Sequence, residues 1–136
     1  MIAMMCIDAT DMVLGRLASV VAKKLLNGES IYVVNAEKSV IIGRPDATLA
    51  EYKEKRARGD PYHGPFFPRT PERIFKRTVR GMVPHRTARG KEAFKRLKVF
   101  ISIPSELKGR ELMVVKEAGN KGEEKFITLE KLTGRL

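Results

Sequence analysis

Apolar positions along the chain follow two rhythms, and the switches between them mark the elements. Leu14, Leu17, Ala18, Val21, Leu25 and Leu26 recur three or four residues apart, the spacing that builds one face of a helix. Thr10 or Asp11 is placed to cap that helix, and Gly28 stands where it stops. "CIDA" before it and "SIYVVN" after it are short strand candidates. The second is a continuous apolar run, which suits a strand covered on both faces in a parallel sheet. "SVIIG" is another short apolar run, broken by the Gly-Arg-Pro that follows. "DATLAEYKEKRARG" predicts a helix capped by Asp46 and ended by Gly59.

"DPYHGPFFPRTP" holds four prolines and one glycine. It reads as an ordered loop in which Tyr62, Phe66 and Phe67 need something to pack on. "TPERIFKRTVRGMV" opens a helix, with Thr70 at the cap and Pro71 in the first helical position. "PHRTARG" is a turn restricted by Pro84 and punctuated by Gly90, "KEAFKRLK" a short helix and "VFISIP" a buried-type strand. Beyond residue 104, two apolar runs flank a Gly-rich polar turn. Strand, helix, strand, then helices, then a strand again predict a layered α/β domain with a mostly parallel sheet. The 136 residues suit one domain.

Charge changes this picture, because it is not spread evenly. The net charge is +11. Residues 69–98 hold eleven Lys or Arg against two acids, whereas residues 1–50 hold five of each. A surplus confined to thirty residues is a contact surface for a polyanion rather than a general solubility charge. On a helical wheel, Ile74, Phe75, Thr78, Val79 and Met82 fall in one arc of about 140°. Arg73, Lys76, Arg77 and Arg80 share an arc of about 100° on the other side. One face docks the helix and fixes where the other points. Downstream, Ala93, Phe94 and Leu97 make a short inward stripe, with Lys91, Lys95, Arg96 and Lys98 around it. Between the two lie His85, Arg86 and Arg89. Basic helices packed into a domain, with a rigid turn between them, favour phosphate and shape recognition of folded RNA over a free major-groove helix.

Candidate catalytic chemistry is sparse. The lone Cys6 reads as a small buried hydrophobe at a strand start, and no disulfide within the chain is possible. His63 and His85 are far apart with no second ligand at metal spacing, and no Walker A, GxGxxG or GxSxG string occurs. "TDMVLGR" has one glycine and reads as a plain strand-to-helix turn; Asp8 ends a strand, and Glu37 and Lys38 form a turn or an ion pair. "MIAMMCIDAT" lacks a basic start and is broken by Asp8, so it is a poor signal peptide. No run approaches the ~20 apolar residues of a membrane span. The expectation is a soluble intracellular protein. An RNA-processing enzyme using the same surface, or a membrane-surface protein, are the alternatives.

"IDATDMVLGRLASVVAKKLLNG", "YVVNAEKSVIIG" and "RTPERIFKRTVRGMVPHRTARGKEAFKRLKVF", in that order, resemble the universal family of large-subunit ribosomal protein thirteen. The likeness covers about residues 6–104 and is most specific from Arg69 to Phe100. "YHGPFFPRTPERI" and the short spacing resemble its archaeal-type branch. The resemblance implies a three-layer α/β/α fold around a parallel sheet of four strands. It implies an rRNA-binding domain over residues 1–104, with 105–136 an extension packed on it. It also implies binding of large-subunit (23S-type) rRNA, early subunit assembly, neighbouring large-subunit ribosomal proteins as partners, and a monomer within the cytoplasmic ribosome. No enzymatic activity, small-molecule substrate, metal or cofactor is expected. The family's RNA-facing stretch falls on Arg77, Arg80, His85, Arg86, Arg89, Lys91, Lys95 and Arg96, with Arg69 and Arg73 at its margin.

Overall fold

The computed structural model describes residues 4–59, 62, 64, 68–107, 109, 111–120, 122 and 125–135. Its centre is a parallel sheet of three strands in the order β1 (Met4–Asp8), β2 (Ser30–Val34), β4 (Leu97–Val99). The registers are Ile7 opposite Val33 and Ile31 opposite Leu97. Alternate side chains divide the sheet into two faces. Ile7, Ile31, Val33, Leu97 and Val99 join one large core. Cys6, Val34 and the half-buried Tyr32 join a smaller one on the opposite face. β2 is therefore buried on both sides, which accounts for its continuous apolar run.

Helices cover the first face. α1 (Leu14–Leu26) brings Leu14, Leu17, Ala18, Val21 and Leu25 into the core, and the chain leaves it through Gly28 at φ 96°. α3 (Pro71–Arg80) and α4 (Ala88–Lys95) add Ile74, Phe75, Val79 and Ala93. α5 (Leu129–Gly134) adds Leu129 and Leu132. The second face is covered by irregular chain: Phe100, Ile103, Leu107 and Leu112 pack on Cys6 and Val34. Tyr32 and Phe100 meet edge to face at 5.8 Å.

The parallel sheet holds three strands among the described residues, not the four expected. The run "SVIIG" does form a strand, β3 (Val40–Ile42), but it pairs antiparallel with β5 (Phe126–Thr128). A 3₁₀ turn over Ala36–Lys38 carries it away from the sheet, and the Val40 amide donates to Met12 O beyond the end of β1. The tail also closes the outer edge of β1: the Met113 amide donates to Cys6 O at 2.8 Å, and the Asp8 amide to Met113 O at 3.0 Å.

Two expected caps are replaced. Val13, without a side-chain bond, precedes α1. Asp11 takes φ 58° and its amide donates to Lys38 O, because the loop needs a left-handed turn there. α2 (Pro45–Ala57) begins after Arg44, which leaves Asp46 inside its first turn, still favourable beside the helix dipole. Asp8 ends β1 as expected. Its Oδ1 accepts from the Thr10 amide, the Thr10 hydroxyl and Asn35 Nδ2, at 3.0, 2.6 and 3.0 Å. Burial opposes its ionisation, but these bonds and the Lys38 charge outweigh that and hold its pKa below the ordinary value. Glu37 is buried and accepts from the Ser102 amide. Cys6 is buried and free. The strand expected at "VFISIP" stops at Val99, and Ile101 is half exposed. Phe66, Phe67 and His63 lie outside the described residues; Tyr62 stays 87% exposed instead of packing inward. No helix of the described residues is long and apolar enough to cross a membrane.

Candidate nucleic-acid interface

α3 starts where its sequence says it should. Thr70 is extended, and Pro71 presets the first helical φ while its missing N–H needs no partner. Ile74, Phe75 and Val79 are at most 1% exposed, and burying side chains of this size contributes about 1.5–3 kcal/mol each. The helix is thereby held in one rotation about its axis. Arg73 and Arg77 are exposed, and Lys76 and Arg80 half-buried, on the opposite side. Met82, expected inward, is exposed: α3 ends at Arg80, so the wheel no longer applies, and Val83 enters the core instead.

The turn after α3 is tightly bonded. His85 Nδ1 lies 3.1 Å from Arg80 O, an acceptor only, so Nδ1 carries the hydrogen. The Thr87 amide and hydroxyl both donate to Pro84 O, at 3.0 and 2.8 Å. Thr87 Oγ1 then accepts from the Gly90 amide and caps α4, which is why this helix begins at Ala88, earlier than the sequence predicts. Gly90 sits inside that first turn and is buried. A Cβ there would lie 1.8 Å from Pro84 O and 2.3 Å from its carbonyl carbon. The glycine is needed for close approach of two backbones.

Between α3 and α4 lies a groove of about 290 Å³ lined by Pro68, Arg73, Lys76, Arg77, Arg80 and Phe94. Lys76 Nζ stands 5.2 Å above the Phe94 ring centroid, a cation–π contact. Among the described residues, no carboxylate lines the groove. The ion pairs among the described residues are Lys55–Glu51 and Arg58–Glu54, both involving α2 side chains or the residue just after it. None of the cations of α3, the turn or α4 is neutralised by an acid in this set.

The structure sorts the ten expected residues into groups. Arg73, Arg77 and Arg80 meet in the groove. His85 and Arg86 belong to the turn; Lys91 and Lys95 are exposed on α4, and Arg69 is exposed next to Pro68. Arg89 and Arg96 reach the other way. Arg96 Nη2 donates to Leu25 O at 2.6 Å and Arg89 Nη2 to Leu26 O at 3.2 Å. They satisfy carbonyls at the negative end of α1. Lys76, Phe94 and Pro68 are the groove residues the ten omit. Lys76 was detectable from its place in the same wheel arc as Arg73 and Arg80. Phe94 packs against the large core, as its place in the inward stripe predicts, and its remaining surface lines the groove; Pro68 carries no signal in the sequence. Among the described residues no three His, Cys, Asp or Glu side chains cluster as metal ligands.

Similarity to known proteins bears on the same stretch. The family model described as "Ribosomal protein L13" matches residues 3–106. The "Large ribosomal subunit protein uL13" of Archaeoglobus fulgidus is 56% identical over 112 residues, 82% of this chain and 72% of that protein. The one from Methanosarcina barkeri is 48% identical over 136 residues, covering 98% of this chain and 97% of that protein. That of Picrophilus torridus is 43% identical over 126 residues, 93% and 91% respectively.

Proposed function

The chain belongs to the ribosomal protein L13 family, and from that premise we propose that it is a structural constituent of the large ribosomal subunit, holding large-subunit rRNA with the surface of α3, the 81–87 turn and α4. It is a binding protein and not an enzyme. It works in the cytoplasmic ribosome beside other large-subunit proteins, as a single copy, and joins early in assembly.

The observation that carries this reading is the row of cations on α3, locked in place by a buried opposite face and without a carboxylate partner among the described residues. Like charges held this close repel one another, and a phosphate backbone turns that repulsion into attraction by releasing condensed counterions. Arg73, Lys76, Arg77, Arg80, Arg86, Lys91 and Lys95 contact phosphate and sugar, and the planar guanidiniums are able to stack on bases as well. Arg69 and His85 flank this set, and Arg89 keeps unused donors beyond its bond to Leu26. Arg96 acts chiefly by holding α4 on α1.

Filter binding to a large-subunit rRNA transcript across a salt series tests this. With about six to ten phosphate contacts, affinity is expected to fall ~10³–10⁵-fold from 50 to 200 mM salt. The triple reversal Arg73→Glu, Arg77→Glu, Arg86→Glu, all at exposed positions, is expected to abolish binding and incorporation into subunits while the circular dichroism spectrum stays unchanged. Normal incorporation of this folded variant would refute the surface assignment.

A further inference from the structure

The groove contains more than a phosphate site requires. Pro68 and Phe94 give it apolar walls among four cations. A regular duplex offers a protein phosphates, sugars and groove edges, while the faces of its bases are stacked on one another and closed to an aromatic ring. An unpaired base does gain, because every base has a π-face to lay on apolar or aromatic surface. The size suits one base rather than a larger ligand: about 290 Å³ lies just under the range of drug-sized ligand pockets, which run from about 300 to 1,000 Å³.

The cations are arranged to match. Arg73, Lys76, Arg77 and Arg80 stand at i, i+3, i+4 and i+7 of α3, a stripe of about 10 Å at 1.5 Å per residue. That length serves the phosphates on either side of one splayed nucleotide. Lys76 Nζ sits over the Phe94 ring, so an entering base takes the ring face and the flexible ammonium swings onto the flanking phosphate. Phe94 is only half-buried, which leaves part of the ring facing the groove. The buried stripe of α3 and the Gly90–Pro84 contact keep both helices in position.

Resting on the RNA-binding reading above, we propose that this groove takes one unpaired RNA nucleotide, its base against Pro68 and Phe94 and its flanking phosphates on Arg73, Lys76, Arg77 and Arg80. The protein thereby prefers RNA with a bulged or splayed nucleotide to an uninterrupted duplex.

Two RNA hairpins with the same stem test this, one carrying a single bulged 2-aminopurine and the other fully paired. Each is titrated with the full chain across a salt series, read by anisotropy and, for the bulged RNA, by 2-aminopurine fluorescence. The bulged hairpin is expected to bind about tenfold more tightly, within the range for one base stacked on an aromatic side chain, with a change in 2-aminopurine emission. Phe94→Leu, and independently Pro68→Ser at a position away from the two cores, are expected to erase the preference. Both should leave affinity for the paired hairpin and its salt slope intact. Equal, salt-sensitive binding of both hairpins by the unaltered protein would overturn the nucleotide pocket and leave the RNA-binding surface standing. Absence of binding to either would overturn both.

Discussion

Individual residues decide whether the basic surface exists at all. Gly90 is the sharpest case. Alanine there drives a methyl group into the Pro84 carbonyl, which is backbone and cannot rotate away. Gly90→Ala is therefore expected to destabilise the fold by at least the ~1–3 kcal/mol of ordinary overpacking, measurable as a lower urea midpoint with unchanged slope. Asp8 makes a different prediction. Its pKa is lowered in the folded state, so its contribution to stability is present above the ordinary carboxyl range of about pH 4. That contribution is lost as pH falls through the folded-state value. Urea titrations from neutral pH into acid should show stability falling more steeply for the parent than for Asp8→Asn. Neither residue announced its role in the sequence. Gly90 looked like turn punctuation, because its real constraint is a backbone atom six residues away, brought close only by the Thr87 cap. The place of Asp8 at a strand end is legible in the sequence, but Asn35, its long-range donor, is not a neighbour in sequence.

At the scale of elements, legibility followed from local periodicity. α1 and α3 were readable because an amphipathic helix writes its buried face into a window of ten to thirteen residues. β3 is visible in the sequence as a short apolar run, but the run does not say which sheet it joins. Its three residues pair with a strand more than eighty positions later, and nothing within the run names its partner. The same holds for the contact between α4 and α1. Arg89 and Arg96 lie in a basic stretch and are indistinguishable there from the other cations. Only the folded chain shows Arg96 reaching Leu25 O and Arg89 reaching Leu26 O. The two kinds of arginine separate experimentally. Arg96→Met is expected to lower stability by about 1.5–3 kcal/mol, the loss of a hydrogen bond to a charged group. Arg86→Ala, exposed in the turn, should leave stability within about 0.5 kcal/mol and reduce the slope of log affinity against log salt by about one. Thermal melts and salt titrations on the same pair of variants distinguish them.

For the whole molecule, the last quarter of the chain belongs to the core it follows. Val115, Ala118, Ile127, Leu129 and Leu132 pack in the same cluster as Ile7, Leu17 and Phe75. Ile127, Leu129 and Leu132 alone, at about 1.5–3 kcal/mol each, approach the ~5–15 kcal/mol that keeps a domain folded. Removing residues 105–136 also uncovers Cys6 and Val34, since Leu107 and Leu112 go with them. The truncated chain is expected to keep far-ultraviolet helicity, lose near-ultraviolet signal and bind a hydrophobic dye; a cooperative melt at the parent temperature would show the tail to be dispensable. The two bonds that Met113 makes along β1 bear on how the chain is made. During synthesis, β1 emerges more than a hundred residues before the segment that seals it. Throughout that interval its flank is an open ladder, ready to zip onto any passing extended peptide. Newborn copies are thus expected to be most prone to clumping during that interval, and a helper that shields that flank would act on them then rather than on the finished protein.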